Sequence, residues 1–249
     1  MSNEIAQLIS DLVQQHRARE PKHAPLIGVS GAQGSGKTYV CQRLAWENPR
    51  IAHFSLDDVY FTRAERARMA RRFHPLFATR GPPGTHALGL AVQTIAALRK
   101  AAPVDETPLP RFDKTSDDRA LEAAWPRFKG RPEAILVDGW CLGALPDELG
   151  DAPLNVLEAK EDADGSWRKQ VREELAGRYQ QFFDMFDELA FLPAPSFEIV
   201  RAWRGEQEER MLGRTMNDEE RVKLDRFLMH YERITRSMLA GGHRATWVV

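Results

Sequence analysis

The sequence predicts an α/β protein of three layers, with a mostly parallel central sheet, helices on both of its faces and a helical lid. Three observations predict this fold. Short apolar runs that are typical of buried strands alternate with amphipathic helical segments along the 249 residues. A glycine-rich turn at 31–38 joins the first strand to a helix, and two later strands end in aspartates, Asp57 and Asp138. No long linker interrupts the chain, so we expect a single domain over 1–249 with the lid around 196–215.

The composition excludes several classes of partner. The chain is 43% hydrophobic and 29% charged, with a net charge of -1, which is typical of a soluble globular protein without a basic surface for nucleic acid. No apolar run approaches the about 20 residues that a membrane span requires, and the N-terminus lacks the pattern of a signal peptide. The two cysteines show neither metal-ligand nor disulfide spacing. We therefore expect a cytoplasmic protein with no nucleic-acid or membrane partner. The oligomeric state is left open, and a monomer is compatible with the sequence.

The glycine-rich segment 31–38 fits the pattern G-x-x-x-x-G-K-T of a P-loop. It follows the apolar strand 25–30 and precedes a helix over 39–46, as the motif requires. Backbone N–H groups of such a loop and the positive end of the helix attract phosphate oxygens. Lys37 adds a full charge for the outer phosphates, and we expect the Thr38 hydroxyl to ligate Mg²⁺. The expected nucleotide-binding residues are Gly31, Gln33, Gly34, Ser35, Gly36, Lys37 and Thr38.

The elements around this loop follow from periodicity. Residues 3–19 carry apolar side chains at i, i+3, i+4, i+7 and i+8, which predicts an amphipathic helix. The apolar run 51–56 predicts the second strand, and a basic helix is expected over 62–72. A loop rich in glycine and proline at 80–86 leads into a helix at 85–99 that has one apolar face.

The middle of the chain is more irregular. Residues 103–119 carry prolines followed by mixed charge, which predicts a solvated loop or, beside a phosphate site, a substrate-binding loop. The run 134–140 predicts a buried strand, and 146–165 a surface connection. A D-x-x-G match at 147–150 lies in that connection rather than at a strand end, so we give it no role. Residues 171–186 predict a helix with an aromatic face that belongs to the core.

The C-terminal part ends in two helices and a short strand. A strand at 189–192 is stopped by prolines, and a charged helix is expected over 196–212. Such a helix is usually a solvated face, but in a phosphoryl-transfer enzyme it can be a lid that carries arginines. A capping-box pattern at 217–220 starts the last helix, which the glycines 241–242 stop, and 245–249 predicts a final strand.

Acidic side chains follow two of the predicted strands. A carboxylate at the end of a buried strand is costly unless it is solvated, paired or near a metal, and open α/β sheets bind ligands at that edge. We expect either Asp57 or Asp58 to face the site, while the other caps the following helix. Asp138 is expected to be the carboxylate associated with Mg²⁺, with a capping role as the alternative.

The function classes that use a P-loop can be separated by further motifs. A GTPase would need an N-K-x-D element, which is missing, and an oligomeric motor would normally show Asp-Glu where this chain has Asp138-Gly139. A small-molecule kinase needs a base, cations for the acceptor and a closing lid. The pair Asp57 and Asp58, the loop 111–119 and the helix 201–210 can supply these.

Four stretches of the sequence match motifs of a known family. They are S-L-D-D-V-Y at 55–60, R-G-P-P-G-T-H at 80–86, L-P-R-F-D-K-T at 109–115 with D-R at 118–119, and V-D-G-W-C-L-G at 137–143. In this order they resemble plant-type D-glycerate 3-kinases, which belong with phosphoribulokinase, uridine kinase and pantothenate kinase. The likeness covers most of the chain, and it implies a P-loop kinase fold.

The resemblance also implies an activity and a site. It implies transfer of the γ-phosphoryl group of ATP, with Mg²⁺, to a hydroxyl of D-glycerate to give 3-phosphoglycerate. Asp57 would be the base, Lys37 and the lid residue Arg204 would complete the catalytic set, and Thr38 with Asp138 would hold the metal. The implied acceptor-side residues are Asp58, Tyr60, Arg80, His86, Arg111, Lys114 and Arg119.

Departures from the family pattern leave two alternatives open. Asp138 stands where the family often has glutamate, and the stretch before Asp118 lacks the glycines of the plant enzymes. One alternative is a P-loop kinase for another acceptor, such as pantothenate or a nucleoside, for which Tyr60, Phe112 and Trp140 are candidate stacking surfaces. The other is a nucleotide-gated binding protein that has no acceptor chemistry.

Overall fold

A computed structural model describes residues 2–146 and 150–249. Residues 147–149, where the D-x-x-G match begins, lie outside the described part of the chain. The strands are β1 (Leu26–Gly31), β2 (Ile51–Ser55), β3 (Glu106–Pro108), β4 (Phe112–Asp113), β5 (Asp118–Arg119), β6 (Arg127–Lys129), β7 (Ala134–Gly139), β8 (Glu188–Leu192) and β9 (Trp247–Val248). The helices are α1 (Ser2–Arg19), α2 (Lys37–Glu47), α3 (Arg63–Arg72), α4 (Leu88–Lys100), α5 (Val156–Glu161), α6 (Ser166–Glu174), α7 (Gln180–Phe183), α8 (Phe197–Leu212) and α9 (Asp218–Leu239).

The central sheet has five strands in the order β2-β7-β1-β8-β9, and all of its pairings are parallel. The α/β fold with a parallel central sheet is therefore confirmed. Because the strands run in one direction, their carboxyl ends meet at one edge. The register pairs Ser55 with Asp138, and Ser30 with Gly139, so the ends of β2, β7 and β1 lie side by side.

Alternating side chains of the strands build two hydrophobic layers. Ile27 and Val29 of β1 face a cluster formed with α1 and α2, where Ile9 and Leu12 are fully buried. Leu26 and the alternate residues of β7 face the opposite cluster, which includes α4, α6 and α9. Burial of both faces explains why these strands read as continuous apolar runs. No helix in the described residues has the length and apolar character that crossing a membrane requires.

A third, smaller cluster attaches the charged helix α8 to the glycine-rich loop. Phe197 and Val200 of α8 are buried with Ala32 of the loop and Leu228 of α9. Ser196 caps the start of α8 through the amide of Ile199, as predicted. The helix is therefore amphipathic only over its first turns, and its later turns carry the charged residues.

Two predicted irregular regions contain regular structure. The stretch 103–119 includes β3, which pairs with β6, and a hairpin of β4 and β5. The surface connection 146–165 includes the helix α5. The predicted helix over 171–186 begins earlier, at Ser166, and its α6 and α7 segments are joined by the π-helical turn Leu175–Tyr179. Short elements of this kind lack the periodicity that a sequence pattern needs.

Candidate active site

A cavity of about 690 Å³ lies at the edge where the carboxyl ends of β1, β2 and β7 meet. The glycine-rich loop and α8 form one half of its wall. The other half comes from the segments that follow β2 and β7, from the loop at Arg80, from the β4–β5 hairpin and from α9. Asp57, Lys114 and Arg204 therefore share one cavity with Lys37 and Thr38.

The glycine-rich loop has the backbone of a phosphate-binding turn. Gly34 and Gly36 adopt φ values of 84° and 85°, which favour glycine. A Cβ on Gly34 would lie 2.6 Å from the Cβ of Trp203, so α8 packs directly on the loop at this point. The Ser35 hydroxyl is buried and has no hydrogen-bond partner among the described residues. Gly31 and Ser35 do not line the cavity.

Lys37 is the cation of the glycine-rich loop. Its Nζ donates to the carbonyl oxygen of Ala32 at 3.2 Å, across the loop. Burial lowers the pKa of Lys37, and the charges of Asp138 and Asp57 oppose that shift. The loop thus holds a lysine whose charge is poorly solvated, and an anionic phosphate in the cavity would compensate for the lost hydration.

Asp138 and Thr38 form the candidate metal site. The Thr38 hydroxyl donates to Asp138 Oδ2 at 2.6 Å, and His53 Nε2 lies 2.7 Å from Oδ1. A hydroxyl and a carboxylate are hard oxygen ligands, and Mg²⁺ in phosphoryl-transfer enzymes takes few protein ligands because phosphates and waters supply the rest. No group of three or more His, Cys, Asp or Glu side chains that could hold a metal occurs in the described ranges. The residues present therefore fit Mg²⁺ that binds together with a nucleotide.

Asp57 lies at the centre of the other half of the site. Its Oδ1 accepts from the Tyr60 hydroxyl at 2.6 Å, and its Oδ2 accepts from Lys114 Nζ at 2.8 Å. Burial would raise the pKa of Asp57, but Lys114, Tyr60 and Lys37 outweigh it and hold the pKa below its ordinary value. Asp57 is therefore ionised at neutral pH, with one lone pair on each oxygen still open to a substrate hydroxyl.

Asp58 has a structural position. Its carboxylate accepts from the amide of Ser55 at 3.0 Å, within the capping box that starts the short helix Leu56–Val59. The amide of Phe112 lies 3.4 Å from its other oxygen, so Asp58 also attaches the β4–β5 hairpin. Asp58 does not line the cavity. The two roles that the sequence left open are thus divided, with Asp57 facing the cavity and Asp58 capping.

Arg80 is the most firmly held cation of the cavity wall. Its Nη1 pairs with Asp117, and its guanidinium lies 5.7 Å from the ring centre of Phe112 and 5.8 Å from that of Phe227. The Tyr231 hydroxyl donates to the carbonyl oxygen of Arg80 at 2.9 Å. Arg80 is thus held at its backbone, through its charge and by two aromatic rings beside its guanidinium.

The loop beside Arg80 depends on a glycine. Gly81 has a φ of 118°, and a Cβ there would overlap the Tyr231 hydroxyl. Trp140 Nε1 donates to the Gly81 carbonyl oxygen at 3.1 Å. The motif R-G-P-P-G-T-H therefore corresponds to a backbone turn that is held by Trp140, which follows β7, and by Tyr231 of α9.

Other predicted acceptor-side residues do not reach the cavity wall. His86 is buried behind Tyr60, with 4.7 Å between the ring centres, and its Nδ1 lies 2.5 Å from the Tyr179 hydroxyl. Arg119 donates to the Tyr60 carbonyl oxygen and to Glu65. Arg111 is exposed and does not line the cavity. We therefore leave His86, Arg111 and Arg119 out of the acceptor site, and with them Asp58.

Arg204 and Arg210 are the arginines of α8 that line the cavity. Arg204 pairs with Glu208 one turn later, and its Nη1 is buried without a hydrogen-bond partner in the described part of the chain. Arg201, three residues before Arg204, pairs with Asp225 of α9 and does not line the cavity. Of Arg201 and Arg204, only Arg204 therefore lies at the cavity.

Buried histidines make the stability of the fold sensitive to acid. Burial lowers the pKa of His86 to about 3 and that of His230 to about 4. Below about pH 6.5 the unfolded chain binds protons that the folded chain does not, so stability falls as the pH falls toward these values. We expect a loss of about 1.4 kcal/mol per pH unit for each histidine between about pH 6 and pH 5, measured by urea denaturation. His86→Gln and His230→Gln should each flatten this slope. An unchanged slope in both variants would contradict the assignment.

Several residues of the cavity wall were not predicted. Trp203, Phe227 and Tyr231 line the cavity, but the sequence placed them only within predicted helices. Asp117, which holds the wall residue Arg80, lay in the stretch interpreted as a solvated loop or a substrate-binding loop. His53 was assigned only to a strand, and its hydrogen bond to Asp138 follows from the parallel pairing of β2 with β7. No local pattern marks such contacts, because they join segments that are distant in the sequence.

Comparisons with known proteins agree with this geometry. No protein-family model matches the chain. An uncharacterized kinase of Schizosaccharomyces pombe, mug58, is 30% identical over 247 residues, covering 90% of this chain and 86% of that protein. The chloroplastic D-glycerate 3-kinase of Arabidopsis thaliana is 28% identical over 232 residues, covering 87% of this chain but 49% of the plant protein. The chain thus spans about half the length of the plant relative.

A solved structure shows the same fold. The D-glycerate 3-kinase of Cryptococcus neoformans superposes with a TM-score of 0.72 at 23% identity, over 96% of this chain and 89% of that one. The arrangement of helices on both faces of the parallel sheet is thus that of the P-loop kinase fold. The two sequence relatives are kinases, which shows a phosphotransferase with a nucleotide-binding P-loop. The chain belongs to the family of P-loop kinases that includes the S. pombe kinase and the plant D-glycerate 3-kinase.

Proposed function

We propose that the protein transfers the γ-phosphoryl group of ATP to a hydroxyl of D-glycerate and gives 3-phosphoglycerate and ADP. The observation that carries the proposal is the position of Arg80, an aromatic-flanked cation in the same cavity as Asp57 and Lys37. D-Glycerate has a carboxylate for a cation and a hydroxyl for a base. The relatives named as D-glycerate 3-kinases support this choice of acceptor.

The charge of the acceptor half suits a monoanion. Lys114 and Asp57 neutralise each other, and Asp117 lies between Arg66 and Arg80, which leaves one positive charge in that network. A single carboxylate balances that charge. A nucleoside is neutral, and the aromatic rings that it would need are engaged: Trp140 packs on Tyr231, and Phe112 on Tyr60. These contacts favour the small hydroxy acid over the nucleoside.

The proposed reaction assigns a proton to Asp57. The acceptor O–H donates to a carboxylate oxygen of Asp57, which takes the proton as the oxygen bonds to the γ-phosphorus and the bond to ADP breaks. Lys37 and Arg204 place positive charge beside the transferred group. When bound, Mg²⁺ held by Thr38 and Asp138 neutralises phosphate charge. In this scheme the segment 196–215, which contains α8, is the lid that excludes water, and the whole chain acts as a single kinase domain.

An ADP-release assay over a panel of acceptors tests the proposal. With ATP and Mg²⁺, we expect D-glycerate to release ADP at a rate far above that without acceptor, and pantothenate, uridine and L-glycerate to stay near background. The product should be identified as 3-phosphoglycerate by mass spectrometry and NMR. Release with another compound of the panel alone would keep the kinase and reject the acceptor. ATP binding without release on any compound would favour the nucleotide-gated binding protein.

A further inference from the structure

We propose that Asp117 is a positioning residue for the acceptor site, since its carboxylate bridges Arg66 and Arg80 and fixes the Arg80 guanidinium at the cavity wall. The inference rests on the proposed function in that it takes this half of the cavity as the acceptor site. Asp117 itself does not line the cavity. Its effect on a substrate would therefore pass through Arg80.

The backbone of Asp117 shows why its side chain matters. Among the described residues, Asp117 is the one residue other than glycine that has a positive φ, with a value of 54°. Such a conformation is strained for a residue with a side chain, whereas glycine adopts it readily. The strained position is maintained because the surrounding contacts over-determine it. Those contacts are made by the carboxylate and by the main-chain carbonyl.

Arg66 holds Asp117 from the side away from the cavity. Arg66 is fully buried, and its Nη2 donates to the Asp117 carbonyl oxygen at 2.7 Å and to Oδ2 at 2.9 Å. Its other nitrogens donate to the carbonyl oxygens of Phe61 and Ala78. The hydrogen bond from Arg66 to the carbonyl oxygen involves only the main chain of Asp117. Removal of the carboxylate therefore leaves the β4–β5 hairpin attached to α3.

The second oxygen of Asp117 determines the direction of Arg80. Oδ1 binds Arg80 Nη1, and the rings of Phe112 and Phe227 lie beside the guanidinium. No other guanidinium nitrogen of Arg80 has a protein acceptor within the described ranges. The nitrogens left over are those that can donate to an acceptor carboxylate. Without Asp117, the guanidinium keeps its contacts with the two rings but loses the hydrogen bond that fixes its direction.

Kinetic comparison of Asp117→Gly and Asp117→Asn tests the role. Glycine suits the backbone and removes the carboxylate, whereas asparagine tolerates the same backbone and keeps one acceptor oxygen without the charge. We expect kcat/KM for D-glycerate to fall on the order of 10- to 100-fold in Asp117→Gly and less in Asp117→Asn, with KM for ATP unchanged. Asp113→Asn is the matched control, because Asp113 lies in the same hairpin and its carboxylate accepts from Thr115 and Ser116 rather than from Arg80.

Two outcomes would overturn the proposal. One is that both Asp117 variants keep kcat/KM for D-glycerate within twofold of the parent chain. The other is that KM for ATP and the melting temperature change together with it, which indicates general damage to the fold.

A crystal structure of Asp117→Gly separates this proposal from the proposed function. If the parent chain phosphorylates no acceptor, the proposed function fails, and the position of Arg80 still decides the inference. An Arg80 guanidinium that has rotated or become disordered supports the positioning role. An Arg80 guanidinium that keeps its orientation in the variant rejects it.

Discussion

Replacing Asp57 by asparagine is expected to lower kcat by about 10²- to 10⁴-fold while ATP still binds. The amide keeps the size of the side chain and can still accept from Tyr60, but it cannot take a proton from the acceptor hydroxyl. Steady-state ADP release gives kcat, and titration with a fluorescent ATP analogue gives nucleotide affinity. Near-normal turnover in this variant would remove Asp57 as the base.

Two features of the structure make this test specific. Asp57 lies in the cavity and its neighbour Asp58 does not, so the effect of Asp57→Asn cannot come from a lost capping box. Asp113→Asn supplies the matched control, because it removes a carboxylate from the neighbouring hairpin without touching the cavity. Its kcat is expected to equal that of the parent chain.

The second large effect is expected for Lys37→Ala, which should lower kcat/KM for ATP by about 10²- to 10³-fold. Lys37 carries a buried charge whose protein hydrogen bond is to a single carbonyl oxygen, that of Ala32. The free enzyme therefore loses little when the lysine is removed, whereas the ATP complex loses a charge beside its phosphates. Chemical denaturation should show a parent-like free energy of unfolding.

The control for this variant is Lys129→Ala, which removes an exposed lysine of β6. It should leave both kinetic constants unchanged. If Lys37→Ala bound ATP with the affinity of the parent chain, the glycine-rich loop would not be the phosphate site. If it lost the fold as well, a Lys37→Met variant, which fills the same volume, would separate charge from packing.

The sequence was most informative where local chemistry and periodicity coincide. The glycine-rich loop could be predicted because Gly34 and Gly36 need positive φ and Lys37 follows at a fixed spacing. The strands of the central sheet could be predicted because both faces are buried, which produces continuous apolar runs. The parallel sheet then placed the ends of β2 and β7 together, and with them the two aspartates that follow these strands.

The acceptor half was harder to predict because its contacts are long-range and polar. His86 belongs to the motif that the resemblance assigned to the acceptor side, but in the structure its side chain is buried against Tyr179. Asp117 lay in a run of charges that resembles any solvated loop, and only the fold brings it to Arg66 and Arg80. A residue type and a spacing cannot show which way a loop faces. The candidate site was therefore predictable on its nucleotide side and only in outline on the other.

The order of strands in the central sheet has a consequence for how the chain acquires its nucleotide site. Thr38 and Asp138 are 100 positions apart, and β7 must insert between β1 and β2 before they meet. Closing so long a loop is slow, and a fragment of the chain that ends before Asp138 cannot form the contact. A chain emerging from the ribosome therefore holds the glycine-rich loop long before it can complete the site. A nucleotide that needs both residues would bind only after β7 has been inserted, and by mass action it would stabilise the folded chain but no state that precedes this step.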